Sequence, residues 1–248
     1  LVNSGLLMSS NSDSAQLAYT ASQPDANPIY ETIVYSTRKE YKMSSVLIGM
    51  LNSLNDPRLP VFAQVNNSGV YVGNTPGLED SSNYNGYSSP GTFYLNPELP
   101  GVMLSYAQVE LYLAEAINEG IITGTLADAR AHYVNGINAN FEFNELSASP
   151  AYTGSASVDF STQAEAREKI ATQMWLALYG QGIEAWTEWR RTGYPALSPV
   201  QNAAISAIPR RFYYSTDEQN FNQASYAAAV ATLDQGDTML SKVWWMNY

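Results

Sequence analysis

The 248-residue chain carries 12 Lys and Arg against 23 Asp and Glu, a net charge of −11, so it has no basic stripe to neutralise nucleic-acid phosphates, and nucleic acid is set aside as a partner. With 45% hydrophobic residues it can bury a substantial core, yet no apolar run approaches the ~18 residues of a membrane span. The absence of cysteine and the single histidine, His132, exclude disulfide frameworks, thiolate zinc sites, cysteine nucleophiles and two-imidazole metal sites, and leave any hydrolytic chemistry to carboxylates.

The opening "LVNSGLLMSS NSDSAQLAYT" lacks a basic region and is not an intact signal peptide. Residues 1 to 42 mix polar stretches with isolated apolar residues, Pro24 and Pro28, which predicts an irregular, surface-wrapping segment. From Ser44, "SSVLIGMLNSLNDPRLP" predicts a helix with Val46, Leu47, Met50, Leu51 and Leu54 on one face, closed by Pro57. Residues 63 to 100 then turn rich in Asn, Gly, Ser and Pro, without helical periodicity. A loop that long inside a domain is more often functional than not.

Ser105 and Gln108 form an S-x-x-Q start, and Gly120 a stop, for a helix over about 105 to 119 that leaves Gln108, Glu115 and Glu119 to water. Thr125 and Asp128 start the next helix, with Ala129, Tyr133, Ile137 and Phe141 on one face, giving a hairpin over about 105 to 141. After a Ser/Gly-rich linker at 147 to 161, Thr162 and Glu165 open a helix with the stripe Ala166, Ile170, Met174, Ala177 and Leu178. Gly180 and Gly182 break it, a short helix resumes over 183 to 191, and Gly193 and Pro195 end this second hairpin, about 162 to 193. A last helix is expected from Asn222 through "QASYAAAVATL". The fold class is therefore mainly all-α: stacked helical hairpins of tetratricopeptide-like length with long irregular loops.

The segments "NDPRLPVFA", "MLSYAQVELYLAEAINEG", "ALYGQGIEAWTEWRRTGYPAL", "IPRRFYYSTDEQNFN" and "KVWW" occur in order and with the spacing that closely resembles the C-terminal half of SusD/RagB-type outer-membrane lipoproteins. The resemblance covers roughly residues 36 to 248 and treats the whole chain as the C-terminal part of one SusD-like domain. It implies a tetratricopeptide-like helical protein, held at the cell surface by an N-terminal lipid. Such proteins cap a SusC-type TonB-dependent transporter and pass it captured glycans, in some members peptides, without cleaving them. Full members are about twice this length, and their lipobox cysteine, signal peptide and early helical pairs have no counterpart here.

In the "WTEWRRTG" run, Trp186 and Trp189 share a helical face, while Glu184 and Glu188 lie one turn apart within reach of Arg190 and Arg191. Because the family keeps these residue types whatever the ligand, they are read as structural signature, as are Arg210 and Arg211 with Asp217 and Glu218 nearby. Ligand contact is expected instead in the 66 to 97 loop, where amides and aromatic rings are densest. Stacked rings and bidentate amides suit the C–H faces and hydroxyls of neutral sugars. Tyr71, Asn83, Tyr84, Asn85, Tyr87 and Tyr94 are the candidate ligand-binding residues, against the plainer reading that Asn serves turns and Tyr covers apolar surface. Glu110 lies inside the apolar arc of its helix and is expected to pair with an arginine; His132 is read as a structural helix residue. No catalytic residue, metal ligand or cofactor is assigned, since no nucleophile–base arrangement stands out and Asp13, Asp25 and Asp80 lack calcium-loop spacing. Two rival readings remain: an all-helical carbohydrate hydrolase using two carboxylates, and a protein-binding scaffold, the common use of tetratricopeptide pairs.

Overall fold

The computed structural model describes residues 4–77, 83–200 and 202–246. Its elements in chain order are strand β1 (Ala15–Leu17), α1 (Pro28–Tyr30), α2 (Ser45–Ser53), α3 (Leu59–Phe62), strand β2 (Gly101–Leu104), α4 (Tyr106–Asn118), α5 (Leu126–Phe143), α6 (Pro150–Thr153), α7 (Gln163–Ala177), α8 (Gly182–Thr192), α9 (Thr216–Phe221) and α10 (Gln223–Val230). The protein is mainly α-helical, and its frame is the two helical pairs α4/α5 and α7/α8 stacked on each other.

Local chemistry places the ends of that frame. Ser105 Oγ accepts from the Gln108 N–H at 3.1 Å while Gln108 Oε1 accepts from the Ser105 N–H at 2.8 Å. Thr125 with Asp128 and Thr162 with Glu165 repeat the reciprocal arrangement at the starts of α5 and α7. Each such cap is worth about 1 kcal/mol because it satisfies backbone N–H groups that a helix start leaves open. Gly193 ends α8 at φ +77°, a left-handed conformation that glycine adopts without strain. Between α4 and α5 the backbones come close at Gly136, where a Cβ would lie 2.7 Å from Leu111 Cγ. Tyr133, Ile137 and Phe141 of α5 then bury fully against Leu111 and Ala114 of α4 and Ile170 and Met174 of α7.

A second cluster joins α2 and α3 to α7: Leu47, Leu51, Phe62 and Leu176 pack with Tyr94, and the Phe62 ring stacks on Tyr179 at 4.2 Å. The two clusters meet around Arg58, whose side chain has no exposed surface. Its guanidinium donates to both Asp56 carboxylate oxygens, at 2.9 and 2.6 Å, to Asn140 Oδ1 at 2.9 Å, to Tyr152 Oη at 3.2 Å and to Gln173 Oε1 at 2.6 Å. Burial alone would raise the Asp56 carboxyl, but the Arg58 charge and the hydrogen bonds outweigh it and hold the group below the usual Asp value. The same burial would lower the Arg58 pKa, and Asp56 reverses that.

Several sequence expectations need correction. On α2 the buried residues are Leu47, Ile48 and Leu51, while Val46 is exposed, so the packed face is turned relative to the predicted stripe. Gln108 is buried rather than left to water, because its side chain folds back into its own cap. Glu115 and Glu119, also assigned to water, bind Arg191 and Arg167. From residue 4 on, the N-terminal segment predicted as irregular is more ordered: β1 pairs antiparallel with β2, Asn27 caps α1, and Asn27 Nδ2 donates to the Leu99 carbonyl at 2.7 Å. The 147 to 161 linker contains α6 and buries Tyr152, Val158 and Phe160. The terminal helix ends at Val230, and α9, opened by a Ser215 cap on the Glu218 N–H, precedes it unforeseen.

Candidate functional site

The Asn- and Tyr-rich loop is anchored to the frame at both ends by backbone bonds. Asn74 N–H donates to the Met43 carbonyl at 2.7 Å and the Asn74 carbonyl accepts from Ser45 N–H at 2.8 Å. At the other end, Gly91 N–H donates to the Phe62 carbonyl at 2.9 Å, and a Cβ on Gly91 would lie 1.8 Å from the Val61 carbonyl oxygen. Only glycine fits there. Across the middle, Ser88 N–H donates to the Val72 carbonyl at 2.7 Å and Ser88 Oγ accepts from Val72 N–H, which runs the chain at Tyr71 alongside the chain at Tyr87.

Four of the six predicted contact residues lie together in one short turn. Tyr84–Gly86 forms a 3-10 turn capped by Asn83 Oδ1, which accepts from Gly86 N–H at 3.2 Å. Asn66 braces it by donating to the Gly86 carbonyl at 2.9 Å, and Asn67 N–H donates to the Asn85 carbonyl at 3.3 Å. Asn83 and Asn85 are exposed; Tyr84 and Tyr87 are half-exposed. Asn66 and Asn83 thus spend their carbonyl oxygens on turn geometry, as the plainer reading holds, whereas the Asn85 side chain and the two tyrosines face outward enough to meet a ligand. Tyr71, beside the same strand pairing, is half-buried against the α2–α3 cluster.

Tyr94 is the correction in this set. It is 5% exposed, its hydroxyl donates to Asn144 Oδ1 at 2.7 Å, and its ring meets Phe62 and Tyr179 edge-on at 5.5 and 4.5 Å. Burial pushes its hydroxyl well above the ordinary tyrosine pKa. The tight turn Thr92–Leu95 after Gly91 directs the ring into the core, so it is a packing residue; one edge lines a cavity of about 140 Å³ with Asn27, Leu99 and Tyr179. Among the described residues of the loop, Glu98 is the one charge; Glu79 and Asp80 of the same loop lie outside the described residues.

The tryptophan–arginine run is occupied by contacts within the chain. Trp186 Nε1 donates to the Pro209 carbonyl at 2.9 Å, and the Arg190 guanidinium lies between the Trp186 ring at 3.7 Å and the Trp245 ring at 4.9 Å. Arg190 also donates to the Arg210 carbonyl, and Arg210 N–H to the Met239 carbonyl, so α8 grips the C-terminal segment. Arg191 binds Glu188 and, with both terminal nitrogens at 2.6 Å, Glu115 of α4. Burial raises the Glu188 carboxyl above its ordinary value, only partly offset by Arg191. Trp186 and Trp189 are half-buried. Arg211 pairs with Asp237 at 2.5 Å rather than with Asp217 or Glu218, because the chain folds back at 236 to 238. Glu110 likewise meets no arginine: His132 Nδ1 lies 2.8 Å from its carboxylate. That pair joins the facing turns of α4 and α5 and was legible only as two isolated residues.

The sequence pattern of the SusD-like family described as starch-binding and associating with the outer membrane matches residues 1–215. The chain belongs to the SusD-like family. Among solved structures it is similar to a chitin-binding protein (27% identity, TM-score 0.78), covering 97% of this chain and 57% of that one. It is also similar to an outer-membrane protein of Bacteroides vulgatus ATCC 8482 described as involved in nutrient binding (28%, TM-score 0.82, 100% and 60%). A SusD homologue from Bacteroides fragilis NCTC 9343 is alike to the same degree (27%, TM-score 0.83, 99% and 60%). The chain thus spans under two thirds of the length of these SusD-like structures. No curated protein matches it.

Proposed function

We propose that this chain is the glycan-capturing part of a surface-exposed outer-membrane lipoprotein that hands oligosaccharide to a SusC-type TonB-dependent transporter without cleaving it. The observation that carries the reading is the turn at 83 to 87, where Asn85, Tyr84 and Tyr87 keep exposed surface on a loop rich in amides and rings and tied to the helical frame by backbone bonds. Rings that stack on pyranose C–H faces, beside amides that both donate and accept, hold neutral sugars without charge. A similar structure described as chitin-binding and a family described as starch-binding support the same ligand class. Affinity electrophoresis through gels containing starch or soluble chitin derivatives, with a parallel assay for new reducing ends, tests it. Retardation without product release is the expected result, and steady release of reducing ends refutes capture without cleavage.

A further inference from the structure

A second place in the molecule has the same chemistry on a different element. The outward face of α5 carries Asn135, Asn138 and Glu142 at i, i+3 and i+7, one stripe about 10 Å long at 1.5 Å per residue. With Tyr106 at the start of α4, and Leu146 and Ser147 just beyond the end of α5, this stripe walls a cleft of about 540 Å³. That volume lies within the ~300–1,000 Å³ usual for small-ligand sites. The cleft lies on the side of α5 away from Tyr133, Ile137 and Phe141, so its polar side chains take no part in the core.

We propose that this cleft is a second binding site for a short neutral oligosaccharide, an inference that rests on the glycan-capture reading above. Asn138 is half-buried in the cleft wall, its Oδ1 turned away from solvent. The rest of the Asn138 side chain lines the cleft and presents its amide nitrogen as a donor for a ligand's hydroxyls. Glu142 adds a carboxylate already oriented by Asn11, whose Nδ2 donates to it at 2.8 Å and to the Ala139 carbonyl at 2.9 Å. Asn135 is exposed and offers both a donor and an acceptor, and Ser147 a hydroxyl. The half-exposed Tyr106 ring and Leu146 supply apolar surface for a sugar's C–H face. The cleft wall holds no cation, and Glu142 in a chain of net charge −11 disfavours phosphorylated or acidic sugars, which leaves neutral saccharides as the class that fits.

The test is a calorimetric titration of the whole chain with maltotetraose and with chitotetraose. It is repeated on the cleft variant Asn135→Ala/Asn138→Ala, on the loop variant Tyr84→Ala/Tyr87→Ala, and on the fourfold combination. Alanine favours the helix more than asparagine, so the cleft variant should melt at or above the wild-type temperature. Two sites are expected in wild type and one in each double variant, with affinity at the altered site down at least tenfold and none left in the fourfold variant. If wild type binds a tetrasaccharide and the folded cleft variant titrates identically, the cleft assignment is overturned while glycan capture at the loop stands. If wild type binds neither sugar, both readings fall.

Discussion

The helical pairs and the Asn/Tyr loop use polar side chains in opposite ways. In the pairs and the segments packed on them, the charged groups that reach the interior are matched: Arg58 with Asp56, Arg191 with Glu115 and Glu188, Arg211 with Asp237. In the loop, backbone bonds and a few amide oxygens fix the shape, and the Asn85 amide and the Tyr84 and Tyr87 side chains keep exposed surface. The difference separates residues whose loss costs folding from residues whose loss costs recognition. The former are tied to several distant segments; the latter are held mainly within their own loop.

The comparison breaks most visibly at Arg58. Replacing Arg58 by Ala leaves Asp56 buried without its partner and should cost about 3–5 kcal/mol, a large fraction of the stability of an ordinary domain. Urea unfolding reads it, and a midpoint unchanged from wild type would show that the buried cluster is not what holds the two packed cores together. Trp186→Ala should cost about 2–3 kcal/mol, below the ~3–5 of a fully enclosed ring, since Trp186 is half-buried and braced by Arg190 and Phe212. Thermal melting of that variant, with proteolysis of the C-terminal segment as a second readout, measures how far α8 secures it.

The Tyr84→Ala/Tyr87→Ala variant sharpens the other side. Glycan affinity should fall roughly tenfold, about 1.4 kcal/mol, while stability stays within about 0.5 kcal/mol of wild type. Tyr94→Ala should do the reverse, lowering the melting temperature because its ring and its bond to Asn144 belong to the core. The smallest effect is expected at Glu188. Its carboxyl is raised by burial, so its contribution to stability is full below the ordinary value of 4.5 and is lost as pH rises through the raised folded value. Glu188→Gln removes that slope, and stability relative to wild type should therefore increase with pH over that window; denaturant midpoints at a series of pH values would show a flat difference if the carboxyl were not raised.

What was legible in the sequence was local. Ser105/Gln108, Thr125/Asp128 and Thr162/Glu165 name the three main helix starts because a cap needs only residues three apart. The stripe Ala129, Tyr133, Ile137, Phe141 names a buried face for the same reason. Arg58 was not legible as a buried hub, since its acceptors come from positions 56, 140, 152 and 173 and no spacing announces them. For Arg211 the sequence shows Asp217 and Glu218 nearby, whereas its partner lies 26 residues on. Within the loop, composition marked the amide and tyrosine density correctly but not which rings face inward. Tyr84 and Tyr94 are alike in type, and only the turn after Gly91 sends one into the core.

The guanidinium of Arg58 also bears on how fast the protein comes apart. Its acceptors come from before α3, from α5, from α6 and from α7, so its full set of bonds needs all four in place and is expected to form late in assembly. Interactions absent from a folding transition state act chiefly on the unfolding rate. The cluster should then serve as a latch on lifetime: stopped-flow unfolding of Arg58→Met should be much faster than wild type while the refolding rate barely moves. That slow escape from the folded state would set how long a single molecule remains in service.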